Sequence, residues 1–263
     1  MKWFDTHVHL DDEQYSHGHD PVIQRAIAAG VGRLLAVATS AKSSAACVAM
    51  AQQYPGVYAA VGIHPNYCGA APPEDWDQVL RLVSQPKVVA LGETGLDRYW
   101  DQTPWEQQQD YFERHLLLGQ KMQLPTVIHQ RDCAAELMAM LRVARQRAPL
   151  RGILHSFSGD AAMARDAVEM GLHISFSGML TFKKSEMLRE VASTIPADRL
   201  LLETDAPYLS PHPHRGTRPN EPALLVHTAA CLAEVRGVSL EKLCEQTTRN
   251  ACDLFGIQIQ PEC

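Results

Sequence analysis

The 263-residue chain carries 24 Lys and Arg against 30 Asp and Glu, a formal net charge of −6, and 46% of its residues are hydrophobic. That is the composition of a globular chain with a sizeable core, and its acidic balance weighs against a coat for duplex DNA, which needs clustered Lys and Arg. Seven scattered cysteines (47, 68, 133, 231, 244, 252 and 263), with no C-x-x-C pair, exclude a disulfide framework or zinc ribbon and suit a reducing cytoplasm.

Short apolar runs alternate with helical patterns along the chain. The runs are Trp3–Phe4, Leu34–Ala38, Val57–Ile63, Val88–Leu91, Thr126–Ile128, Ile153–Leu154, Leu172–Phe176 and Leu200–Leu202. The early Asp5, Asp11 and Asp12 do not suit a charged-then-apolar leader, and no apolar run approaches the ~18 residues of a membrane span. Asp20-Pro21 reads as an N-cap with a first-turn proline, and Gly30 closes that helix. Thr103 to Glu106 reads as a capping box opening a helix through Gln120. Asp160 and Gly171 bracket a further helix, and a proline-rich loop over 207–222 precedes two C-terminal helical patterns at 224–235 and 240–254. Repeated strand-then-helix units in ~250 residues predict an α/β chain, a TIM-type (β/α)8 barrel forming a single domain over 1–263. A doubly wound open sheet has the same periodicity.

The strand ends carry the chemistry. His7 and His9 close the first run, His64 the third, Glu93 the fourth, His129 the fifth, His155 the sixth and Asp205 the eighth. In a parallel barrel every strand's C-terminal end reaches the same face, so residues distant in sequence converge there. Imidazoles and carboxylates together suit Zn, Mn, Fe or Mg. Three His-x-His pairs compete for that role: 7/9, 17/19 and 212/214. His7 and His9, at i and i+2 on a strand, project to one side. His17 and His19 follow no apolar run, and His212 and His214 flank a proline in a loop, so the first pair is the expected ligand pair. Arg131 is two residues beyond His129 and should face the same mouth, where a guanidinium suits phosphate; an ion pair with Asp132 or Asp97 is the alternative. His64 is expected to hydrogen-bond the scissile phosphate or its leaving group. Asp5, on the side of His7 and His9, is expected to orient a ligand imidazole, with Glu203 in a similar place. Arg98, Lys183, Lys184, Arg215 and Arg218 add a basic fringe after strand ends.

The segments FDTHVHLD (4–11), GETGLD (92–97), IHQRD (128–132), LHSFSG (154–159), LLLETDAPYL (200–209) and HRGTRPNEP (214–222) resemble the TatD family of metal-dependent deoxyribonucleases, within the amidohydrolase-like barrels. Trp3, Thr126 and Cys133 depart from the family's pattern without removing a ligand. The resemblance implies two divalent ions (Mg, Mn or Zn), one held by His7, His9, Glu93 and Asp205, the other by Glu93, His129 and His155, with Glu93 bridging. Related amidohydrolases bridge with a carbamylated lysine, but the nearby Lys87 precedes its strand. Asp205 is the expected proton acceptor for the attacking water, so Asp205 and Glu93 are the expected catalytic pair. The implied activity is 3′-to-5′ hydrolysis of single-stranded DNA or RNA, or of a small phosphoester. Hydrolysis of a small ester or amide, or of aminoacyl-tRNA, with the same site is the second reading, and a metal-binding scaffold without catalysis is a third. No membrane partner is expected, and a monomer is the default.

Overall fold

The structure is a computed structural model describing residues 2–16 and 18–258. Eight strands alternate with helices: β1 (Trp3–Val8), α1 (His19–Ala28), β2 (Val31–Val37), α2 (Ala41–Gln53), β3 (Val57–Val61), α3 (Pro73–Leu82), β4 (Val88–Asp97), α4 (Trp105–Met122), β5 (Thr126–Arg131), α5 (Ala134–Arg147), β6 (Gly152–Leu154), α6 (Ala161–Glu169), β7 (Leu172–Phe176), α7 (Glu186–Thr194), β8 (Leu200–Leu202), α8 (Leu225–Arg236) and α9 (Leu240–Phe255). The strands form one sheet in sequence order, β1 to β8. Val8 bridges Ala206 in parallel just beyond β8, so the last strand returns to the first. This is the (β/α)8 barrel class, and the open doubly wound alternative is excluded by the neighbouring of first and last strands.

Strands such as β1, β7 and β8 are buried almost end to end, the continuous apolar reading of parallel strands covered on both faces. The chain divides into two compact units whose boundaries cut β2 and β7. Met1–Leu35, Ser156–Arg165 and Ile174–Cys263 form one. Its core includes Phe4, Leu10 and Phe176, with the Phe4 and Phe255 rings in tilted contact, 5.6 Å between centroids. Ala36–His155 and Asp166–His173 form the other, packed around Ile63, Leu91, Leu96, Phe112, Leu116 and Ile128.

Two expected helix starts shift. α1 begins at His19 with Gly18 as its N-cap, so Asp20 lies inside the first turn, where its charge suits the helix dipole without capping. The capping box at 103–106 does not form. Pro104 is the N-cap of α4, in extended conformation, and its carbonyl takes the Gln107 and Gln108 amides; the Gln108 side chain reaches back to the Thr103 carbonyl instead. Asp160 does cap its helix, accepting from Met163 N–H at 2.8 Å. The 207–222 segment is a loop ending in a 3-10 turn at Pro222–Leu224, pinned where Asn220 Nδ2 donates to the Thr204 and Tyr208 carbonyls at 3.0 and 2.5 Å. No single helix among the described residues is long and apolar enough to cross a membrane.

Candidate metal centre

Each unit carries its own cluster of donor atoms. In the first, β1 delivers His7 from its last turn of pleat, and His9 follows just beyond the strand. Their Nε2 atoms lie 3.1 Å apart, and each is 3.6 Å from Asp205 Oδ1. Asp205 follows β8 in left-handed backbone conformation, φ 54°, a geometry asparagine and aspartate tolerate better than most residues. Its amide donates to His7 O at 3.0 Å, and His9 N–H donates to Ala206 O at 2.8 Å, which fixes the three side chains in one register. His7 is fully buried and the Asp205 side chain is 13% exposed, so the cluster opens to solvent on the aspartate side.

Asp5 shares the His7 side of β1 but does not hold an imidazole. Its Oδ1 accepts the amides of Thr204 (2.9 Å) and His7 (3.3 Å), and its Oδ2 accepts the Thr204 hydroxyl (2.5 Å). Burial pushes its carboxyl up to about 7 against those bonds, which favour the charged form. Asp5 is therefore the tie between the ends of β1 and β8, because the backbone amides of the 203–205 segment come within reach where the side chain had been expected to find a ring. Glu203 likewise accepts a backbone amide, that of Ser156, at 2.7 Å.

In the second unit Glu93 is the hub. His155 Nε2 lies 2.9 Å, His129 Nδ1 3.0 Å and His64 Nε2 3.4 Å from its Oε1, and His129 Nδ1 is 3.3 Å from His155 Nε2. The strand is bent to present it. β4 gains a residue against β5 between Leu91 and Thr94, a bulge of the kind that re-aims a side chain beside a site. Gly92 makes the bulge possible: φ is +136°, and a Cβ there would sit 2.7 Å from the Val127 carbonyl oxygen. Glu93 N–H then donates to Ala38 O at 2.7 Å.

Asp97, four residues past Glu93, completes this cluster. Its Oδ2 lies 2.9 Å from His129 Nε2 and accepts from Asn66 Nδ2 at 3.2 Å, while its Oδ1 takes the amides of Tyr99 (2.8 Å) and Trp100 (3.1 Å). Burial alone would raise the Asp97 carboxyl, but His129, the Trp100 amide and Asn66 outweigh it and hold it down to about 2. With a cation bound, an ionised Asp97 would keep the ring proton on Nε2 and leave the Nδ1 lone pair for the metal. Burial would lower the His129 imidazole, yet the bonds to Asp97 and Glu93 raise it. Asp97 was named from sequence only as a partner for Arg131. The signal for its real place was its even spacing from Glu93 on one strand.

Both clusters have the chemistry of a divalent-cation site. His7, His9 and Asp205 each offer a donor atom within 4.8 Å of the others, as do His64, Glu93 and His129, and converging acceptor lone pairs are what a cation satisfies. His64, assigned from sequence to the substrate, stands inside the Glu93 cluster. His19, His212 and His214 join no such cluster among the described residues, and His17 lies outside them. Lys87 is engaged far from this chemistry, its Nζ donating to the carbonyls of Ala51, Tyr54 and Pro55. Arg131 pairs with neither Asp97 nor Asp132; its guanidinium lies over the Tyr99 ring, 3.6 Å from the centroid.

A (β/α)8 barrel with His, Glu and Asp donors at its strand ends suits a metal-dependent enzyme, and the relatives make it a metal-dependent hydrolase. The family model described as TatD related DNase matches residues 4–256, and the chain belongs to the TatD family. It is 39% identical over 254 residues to a metal-dependent hydrolase, YabD, of Bacillus subtilis, covering 97% of this chain and 99% of that protein. It is 36% identical over 260 residues to a Klebsiella pneumoniae protein named 3′-5′ ssDNA/RNA exonuclease TatD, covering 97% and 98%. Among solved structures, the TatD homologue YjjV of Escherichia coli superposes with a TM-score of 0.91 at 31% identity, covering 97% and 98%.

Proposed function

We propose that this chain is a two-metal phosphodiesterase that removes nucleotides from the 3′ end of single-stranded DNA or RNA. The observation that supports it most is the pair of donor clusters, each joining imidazole to carboxylate at strand ends. Relatives named as 3′-5′ exonucleases support the substrate class. In this reading His7, His9 and Asp205 hold one divalent ion (Mg, Mn or Zn), and Glu93, His129 and His155 hold a second. Such a pair supplies an activated water near neutral pH and offsets charge on the phosphate.

The chain's own groups do the rest. Asp205, on the solvent side of its cluster, accepts the proton of the attacking water. Glu93, buried and within 3.4 Å of three imidazoles, supplies the carboxylate that would hold the second ion and orient its water. His64, whose Nδ1 accepts the Asn66 amide at 3.1 Å, keeps its proton on Nε2, 3.4 Å from Glu93 Oε1, and turns that donor to the scissile phosphate or leaving oxygen. Arg131 presents a planar set of donors to a non-bridging phosphate oxygen. The protein acts in the cytoplasm, where its six described cysteines, none of them in a disulfide, remain reduced.

The test compares bis(p-nitrophenyl) phosphate with p-nitrophenyl acetate, using protein stripped of metal and then reloaded. Metal-dependent release from the phosphodiester is expected, together with oligonucleotide cleavage that weakens as salt rises. Release from the acetate alone, insensitive to salt, overturns the phosphodiesterase reading in favour of carboxyl esters.

A further inference from the structure

Past the end of β4 the chain turns outward and exposes two aromatic rings in succession. Tyr99 is 55% and Trp100 46% exposed, and the rings meet edge to face, 4.9 Å between centroids. Large exposed rings side by side are unfavourable on a surface with no partner. Arg131, opposite Asp97 in the β4–β5 register, lays its guanidinium on Tyr99 at 3.6 Å and stands 5.9 Å from the Trp100 ring. No carboxylate comes within 4.0 Å of that guanidinium among the described residues. Its neighbour Arg98 differs: it stacks on Trp105 and pairs with Glu136 at 3.1 Å. The stack thus holds one arginine in place while leaving its N–H donors available.

Asp97 ties this patch to the Glu93 cluster. One carboxylate oxygen takes the amides that set Tyr99 and Trp100; the other lies against His129. Whatever rests on the rings is therefore registered to the cluster through a single side chain. The exposed Trp100 indole beside a guanidinium with no carboxylate partner complements one chemistry in particular, an unstacked base with its own phosphate. Bases in a duplex are covered on both faces, so the occupant is single-stranded.

We propose that Tyr99, Trp100 and Arg131 form a subsite for the nucleotide next to the bond being cut, with the base on Trp100 and a backbone phosphate on Arg131. This rests on the nucleic-acid reading above and adds to it the device that favours single strands. It also divides the roles: Tyr99 carries the arginine, Trp100 carries the base.

The test is fluorescence anisotropy with a labelled, cleavage-resistant phosphorothioate thymidine oligomer and an abasic oligomer of equal length, on the full chain with Mn. Trp100→Ala should weaken the thymidine oligomer about tenfold and leave the abasic one unchanged, with Trp100→Phe recovering most of the loss. Arg131→Ala should weaken both and lower the salt slope by about one. The subsite is overturned if Trp100→Ala binds both oligomers as the wild type does, if it loses both alike, or if the wild type prefers neither. Hydrolysis of bis(p-nitrophenyl) phosphate by the same proteins judges the nuclease reading separately. Hydrolysis without base preference keeps that reading and removes the subsite. Absence of phosphodiester hydrolysis removes the reading, while anisotropy still decides the subsite.

Discussion

Replacing Asp97 by asparagine changes one charge and almost no volume at the point where the Glu93 cluster is held. The amide oxygen can still accept from the backbone of Tyr99 and Trp100, as the carboxylate does at 2.8 and 3.1 Å. What is lost is the anion 2.9 Å from His129 Nε2, which keeps the proton on that nitrogen and leaves Nδ1 to face Glu93. Groups that orient a metal-binding imidazole in this way are worth roughly 10- to 100-fold in cation affinity, about 1.4–2.7 kcal/mol. Isothermal titration of stripped protein with Mn should therefore show two sites in the wild type. In Asp97→Asn one of them should weaken by that factor, while the site of His7, His9 and Asp205 keeps its affinity. Equal weakening of both sites, or no change in either, refutes the assignment of Asp97 to the Glu93 cluster.

His115 makes stability depend on pH. It is wholly buried under the exit of β3, accepting from Ile63 N–H at Nε2 (3.1 Å), with Nδ1 2.7 Å from the Tyr111 carbonyl. Burial lowers its imidazole from 6.5 to about 4. The folded chain then binds this proton less readily than the unfolded one, so stability is lost as pH falls from 6.5 toward 4, roughly 2 kcal/mol of it by pH 5. Urea unfolding of His115→Gln should lack that slope, and a variant as acid-sensitive as the wild type contradicts the account. Gly95→Ala should lower the melting temperature by about 10 °C, on the order of 3 kcal/mol. Its Cβ would lie 2.1 Å from the His129 carbonyl oxygen at φ +140°, whereas Gly216→Ala, with nothing within 4 Å, should be neutral in the same melt.

The barrel was legible because its signals are periodic: each buried parallel strand is an apolar run, and each candidate ligand sits where a run stops. His7, His9, Glu93, His129, His155 and Asp205 could be named that way, and the structure gathers them into two clusters, one in each unit. Residues whose task is set by a backbone partner were harder to read. Asp5 looks like a carboxylate aimed at a ring, but it answers an amide brought from a distant segment, and no local pattern encodes that meeting. The α4 start misled for a related reason, since Thr103 and Glu106 have capping-box spacing while Pro104 fixes the backbone that takes the cap position. His64 is one residue past Ile63, whose amide donates to His115 on α4, and its own amide donates to Thr39 O, contacts from distant segments that set it 3.4 Å from Glu93.

The most direct measurement follows a 5′-labelled single-stranded DNA oligomer incubated with metal-stripped protein, then with Mg, Mn or Zn restored, beside Asp205→Asn. The account predicts a ladder shortening from the 3′ end that requires metal and is lost in Asp205→Asn. Full-length oligomer under every metal, from protein that binds two cations per chain, would contradict it.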